Sequence, residues 1–273
     1  MKRRKLKSDD AGDRLEFYRE KIAMIKRLRA IASTTRSSVE MRLFSEYGAI
    51  FVTTATPPPS IVFADSSEVA AFQATLPIQY ARIGDYEISL QAEAMDALTR
   101  AAAELNDREC RIAARAADSG GRSYEDTVAL WLRNVTRGLE RWESEGRISY
   151  ERAQVIRDLA PVDQIALVLN MEDQEQIFFG TFFDRSILYS VAAPGASQHL
   201  SLLAFDVAEY QNKEVEKALN QHGWFRTVAN DLPHFTYLGH AEESLPEMGL
   251  IRIEREYHQH LYGFWVPDLD RLR

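Results

Sequence analysis

Pro194-Gly195-Ala196-Ser197-Gln198-His199-Leu200-Ser201-Leu202-Leu203-Ala204-Phe205-Asp206 passes from a turn into a strand. Pro-Gly is a turn signal, and the residues that close the stretch alternate in the period of a strand. Leu203, Phe205 and Val207 fall on one face, leaving Ala204, Asp206 and Ala208 on the other. Small neighbours beside a carboxylate leave room for a metal ion and a substrate. His199 precedes Asp206 by seven residues, and an odd separation puts two residues on opposite faces of a straight strand. The histidine is therefore expected on the turn ahead of the strand. Taken alone, a histidine and an aspartate at this spacing are more often a surface pair.

Downstream of residue 176 the texture is one of short β-like runs. Residues 177–183 and 187–191 read as a hairpin pair, 202–210 and 235–238 as strands, and 214–221 as a short helix. Residues 251–255 and 261–266 read as a terminal hairpin. Upstream, helices dominate. Residues 14–31 carry one apolar face, and 88–106 another through Leu90, Ala94, Ala97, Leu98, Ala101 and Leu105. Ser123 with Asp126 opens a helix bearing Val128, Trp131, Leu132, Val135, Leu139 and Trp142. Gly146 stops that helix, and Ser149 caps another expected to run to Pro161. Between them, 110–116 alternates as a strand, and Pro57-Pro58-Pro59 is the best candidate for a boundary.

Helices ahead of a run of strands predict an α+β fold with a central antiparallel sheet flanked by helices. The expected organisation is an N-terminal helical arm and Pro-rich linker over 1–84, then a core over 85–240 with a helical insertion at about 125–175. A C-terminal hairpin extension follows over 241–273.

The 273 residues are 45% apolar, which suits a packed core. A net charge of −8 argues against non-specific nucleic-acid binding, while leaving room for a local basic groove. Cys110 is the only cysteine, so any transition metal must sit on histidine and carboxylate ligands. The start, MKRRKLK, has the charge of a signal peptide's first region, but Ser8-Asp9-Asp10 stands where its apolar region should begin. No run approaches the 18 or so apolar residues of a transmembrane helix.

A second segment, Asp231-Leu232-Pro233-His234-Phe235-Thr236-Tyr237, leads a histidine into a strand behind a proline that restricts its approach. Two imidazoles and one carboxylate would leave the fourth tetrahedral position of Zn²⁺ open, as catalytic sites require. Asp231, three residues before His234, would then stand ready to take a proton from water.

Together with a third segment these resemble a known family. Ser197-x-His199-x6-Asp206 is similar to the S-x-H-x-x-G-x-A-x-D signature of D-alanyl-D-alanine carboxypeptidases and the vancomycin-resistance D,D-dipeptidases. Asp231-x-x-His234 stands where that family has E-x-x-H, and Ser119-Gly120-Gly121-Arg122-Ser123-Tyr124 resembles its S-G-Y-R-S motif. The order and approximate spacing agree over roughly residues 88 to 238. The resemblance implies a zinc ion at the centre of an antiparallel sheet, with His199, Asp206 and His234 as ligands. It implies Arg122 as the group that stabilises the oxyanion or holds substrate, beside Ser197 as a substrate or outer-sphere contact and Asp231 as the base. It implies a peptidoglycan stem peptide or other D-alanine-containing peptide as substrate, and an extracytoplasmic location. Leu202 departs from the motif glycine, Thr127 from a frequent glutamine, and Asp231 from the glutamate base, one methylene longer. Intact ligands with an altered base also fit a non-catalytic zinc-containing module that binds cell-wall peptides or a protein. His222, His240, His258 and His260 match no motif.

Overall fold

The computed structural model describes residues 22–32, 37–105 and 110–272. Helix α1 (22–32) leads into α2 (Ser38–Tyr47), whose N-cap Ser37 forms a capping box with Glu40, and then α3 (Ser66–Gln73). Strands β1 (Ile78–Ile83) and β2 (Tyr86–Gln91) form a hairpin that runs directly into α4 (Ala92–Leu105). Helices α5 (Tyr124–Ser144), α6 (Tyr150–Asp158) and α7 (Pro161–Glu175) follow. Strand β3 (Ala204–Asp206), α8 (Lys213–Gln221), β4 (Trp224–Phe225) and β5 (His234–Tyr237) come next. A long hairpin, β6 (Leu250–Tyr257) and β7 (His260–Pro267), precedes a last helical turn, α9 (Leu269–Leu272).

The class is α+β, with antiparallel pairing in every sheet. The middle sheet has the order β3-β5-β4, and the other two are the hairpins. Phe205 and Phe235 face each other across the middle sheet, fully buried in one apolar cluster with α4 and α8. Burying each ring contributes about 2–3 kcal/mol. The opposite face of the same two strands carries Ala204, Asp206, His234 and Thr236. The period-2 reading thus holds for the segment that decides the site. A second cluster joins α5, α6 and α7 to residues 177–196. No helix among the described residues is long and apolar enough to cross a membrane.

Several expected elements differ. Residues 14–21 of the first predicted helix lie outside the described residues. Residues 88–91, expected to start a helix, are strand β2; the two-residue turn Gly84-Asp85, with Gly84 at φ 67°, marks a hairpin that the helical pattern hid. Pro161 begins α7 rather than ending α6, because the first helical turn needs no donor from that residue. The expected strand 110–116 reduces to one bridge, Ala114 to Val207, as its donors go to Ile83, Asp206 and Glu209. The 202–210 strand shortens to β3.

The expected hairpin of 177–183 with 187–191 is absent, and Glu172 is the reason. Its buried carboxylate accepts from Phe179 N at 3.1 Å and Ile187 N at 2.7 Å. Trp142 Nε1 donates to Phe178 O at 2.8 Å. Backbone groups that a ladder would use are thus claimed by helix side chains, and 187–189 closes into a 3-10 turn.

Candidate metal centre

Asp206 and His234 are cross-strand partners at the open end of the middle sheet. His199 joins them from the 3-10 turn Gln198–Ser201, which precedes the strand. That turn ends on Leu202 in the left-handed region, φ 57° and ψ 33°, a conformation suited to glycine. The position is that of the glycine in the resembled motif, and here a leucine holds a conformation that glycine adopts freely. Leu202 Cδ2 lies where a side chain on Gly121 would point, 2.7 Å from an ideal Cβ there. Leu202, which departs from the motif glycine, is thus packed against position 121.

A donor atom from each of His199, Asp206 and His234 lies within 4.8 Å of the other two. His199 Nε2 and His234 Nδ1 each stand 3.4 Å from Asp206 Oδ1. Donors bound at about 2.0–2.1 Å to a tetrahedral zinc lie roughly 3.3 Å apart, so the two distances to Asp206 suit such an ion. The outer nitrogens decide the tautomers. His199 Nδ1 donates to Gly120 O at 2.7 Å, and His234 Nε2 to Gln198 Oε1 at 2.9 Å. The amide of Gln198 is itself oriented, since its Nε2 donates to Tyr47 O at 3.0 Å and its Oε1 accepts from Thr236. With both outer nitrogens protonated, two imidazole lone pairs converge on a carboxylate oxygen. Asp206 Oδ1 is buried with no hydrogen-bond partner. Three acceptors meeting without a donor repel one another unless a cation stands between them.

Burial alone would raise the pKa of Asp206, but when no cation is bound, protonation of the adjacent His199 and His234 rings holds it well below the usual range. Arg122, the residue before the α5 cap, adds a guanidinium 3.6 Å from Asp206 Oδ2. Its Nε and Nη2 both reach Asp118 Oδ2 at 3.0 Å, and Nη1 makes no hydrogen bond among the described residues. Gly120 is tightly fitted here: a Cβ on it would approach Ser89 O to 2.7 Å, and its carbonyl would be pushed from His199.

The donors open into a cleft of about 240 Å³. Ser197, Asp231 and Arg122 all line it, together with an apolar wall that includes Leu188, Val191 and Val228. Asp231 sits between two turns, its N–H bonded to Val228 O at 3.1 Å and its carbonyl accepting from His234 N at 3.3 Å. The residue is exposed to water on one side, yet protein crowds its carboxyl. That burial pushes its pKa up against the pull of His234, and the charge of Asp206 adds to the rise.

Sequence reasoning missed Gln198, which fills the unspecified place inside the motif and gives no signal. It also missed Thr236, which the strand period places on the face of His234. Arg133 was missed as well: it lines the cleft, exposed, with no carboxylate partner among the described residues. The remaining histidines stand elsewhere. His222 pairs with Glu104 at 3.3 Å, His240 bonds Val52 O at 2.8 Å, and His258 and His260 lie at the tip of the C-terminal hairpin. No protein-family model matches the chain, and no curated protein matches its sequence.

Proposed function

We propose that the chain is a zinc-dependent peptidase of the D-alanyl-D-alanine carboxypeptidase type, acting on peptidoglycan stem peptides. The observation that carries this reading is the convergence of two oriented imidazole lone pairs and a donorless buried carboxylate oxygen at one end of an open cleft. His199, Asp206 and His234 would hold the ion. A zinc ion bound there would supply Lewis acidity toward a carbonyl and make water easier to deprotonate. Asp231 takes the proton from the attacking water and delivers it to the leaving amine. Arg122 offers its free Nη1 to the oxyanion, anchored from behind by Asp118 so that little reorganisation is needed. Arg133 is free to meet a substrate carboxylate at the outer wall, and Ser197 contacts the bound peptide near the donors.

Metal analysis of purified protein, joined to mass spectrometry of digested muropeptides, tests both halves. About one zinc per chain is expected, with release of a terminal alanine. His199→Ala with His234→Ala should remove both. Stoichiometric zinc in that double variant overturns the ligand assignment. Zinc with retained peptide binding and no cleavage identifies a binding module instead.

A further inference from the structure

The loop between β4 and β5, residues 226–233, carries Asp231 and ends at His234. It is held from outside the resembled region, by the C-terminal hairpin. At its start, Trp265 N donates to Arg226 O at 2.8 Å. The Arg226 guanidinium is buried, 4.5 Å from the Phe235 ring centre and 5.2 Å from that of Tyr262 on β7. It pairs with Glu216, and its Nε donates to Leu232 O at 2.9 Å, which ties the end of the loop to its beginning. The middle is gripped by Tyr257 at the end of β6. Its hydroxyl lies 2.8 Å from Ala229 O and 3.2 Å from Asn230 Oδ1, the two residues just before Asp231. Tyr257 is itself packed against Tyr262 and Phe264, with ring centres at 6.2 and 6.4 Å.

We infer that the hairpin is part of the site: Tyr257 is a positioning residue whose hydroxyl fixes the turn that aims Asp231 at the histidines. The inference rests on Asp231 being the base. Aspartate has less reach than glutamate, so the placement of its backbone carries more of the geometry. A misplacement near 1 Å can cost about a hundredfold in rate. A free turn at 228–231, joined to the rest only by its own short hydrogen bonds, would not hold that tolerance.

Tyr257→Phe removes the hydroxyl and keeps the ring. In zinc-loaded full-length protein, amide hydrogen exchange at residues 228–231 should quicken, with exchange elsewhere and zinc content unchanged. On a stem peptide kcat should fall about 10–100-fold with little change in KM. Combined with Asp231→Asn, the second change should add no further loss, because both act through one carboxylate. His258→Asn, at the hairpin tip, should leave every readout alone. Unchanged exchange at 228–231 overturns the inference whether or not the protein cleaves anything. Faster exchange with undiminished kcat also overturns it. If the starting protein cleaves no peptide, the peptidase reading fails on its own, and positioning is then read from the Asp231 carboxyl ¹³C resonance as zinc is added. A smaller zinc-induced shift in Tyr257→Phe supports the grip, and an identical one overturns it.

Discussion

The two sides of the cleft are built on different terms. The sheet side is a set of fixed polar partners: each outer ring nitrogen has one acceptor, Gly120 O or Gln198 Oε1, and Asp206 stands opposite His234 in register. The helical side is apolar with scattered charge, made from α5 and a segment without regular pairing that ends in Leu188 and Val191. One side specifies atoms, the other shape and charge. Changes on the sheet side should therefore act on metal and chemistry, and changes on the helical side on substrate fit and stability.

The largest effect is expected at the rim where the two sides meet. Asp231→Asn should lower cleavage about 10²–10⁴-fold, as deletion of a positioned acid–base group does, and leave zinc bound. Steady-state kinetics beside metal analysis checks it; full activity in the variant would send the search for a base elsewhere.

Within the sheet side, Gln198→Leu removes the acceptor that holds His234 Nε2. Loss of such an outer partner typically weakens metal affinity about 10–100-fold. Competition with a chelator should show this, whereas Arg133→Gln on the wall should leave zinc affinity unaltered and weaken binding of peptides with a free carboxylate. Equal effects of the two substitutions would break the contrast.

A smaller effect comes from the contact between positions 121 and 202. Leu202→Gly relieves left-handed strain of about 1–2 kcal/mol. It also removes a buried leucine, which costs about 2–5 kcal/mol. Packing outweighs strain, so a net loss of about 1–3 kcal/mol is expected in denaturant unfolding. Gly121→Ala should also destabilise, since its Cβ meets Leu202 Cδ2 at 2.7 Å. In the double variant the alanine gains room, and the two losses should add to less than their sum by about 0.5 kcal/mol or more.

The same contrast explains what the sequence disclosed. Strand alternation around Phe205 and Phe235 places Asp206 and His234 on one face, and the odd spacing of His199 sends it to the preceding turn. Cap signals at Ser123 and Ser149 are local and mark real helix starts. What stayed hidden depends on distant partners. Nothing near Ile177 announces that Glu172 will take the N–H groups of Phe179 and Ile187, so the local pattern reads as a hairpin. Nothing near Asp231 announces that Tyr257, 26 positions on, bonds its turn. The β1–β2 hairpin has a local signal in its Gly84-Asp85 turn, but the apolar residues beside it also suit a helix.

Glu172 offers the smallest effect, and it tests how the wall is held. Two opposing forces act on its carboxyl: burial disfavours the charge, while Ser186, the two backbone N–H groups and Arg42 favour it. Arg42 is shared, since its Nη1 reaches Asp173 at 2.8 Å while its Nη2 reaches Glu172 at 3.2 Å. Burial is the larger, so the pKa of Glu172 is raised in the folded state. An acid with a raised folded pKa binds more protons in the folded than in the unfolded chain between the two values. Its contribution is then fully present below the unfolded pKa, and it is lost as pH rises through the folded one. Glu172→Gln cannot ionise, yet its carbonyl oxygen can still accept from Phe179 and Ile187. Unfolding free energies measured from about pH 4 to pH 8 should therefore fall with rising pH more steeply in the starting protein than in the variant. The difference between the two curves isolates Glu172 from Glu46 and Asp206, which titrate in both. A difference of the opposite slope would mean that the hydrogen bonds and Arg42 outweigh burial, and that the wall is held by a stabilised charge.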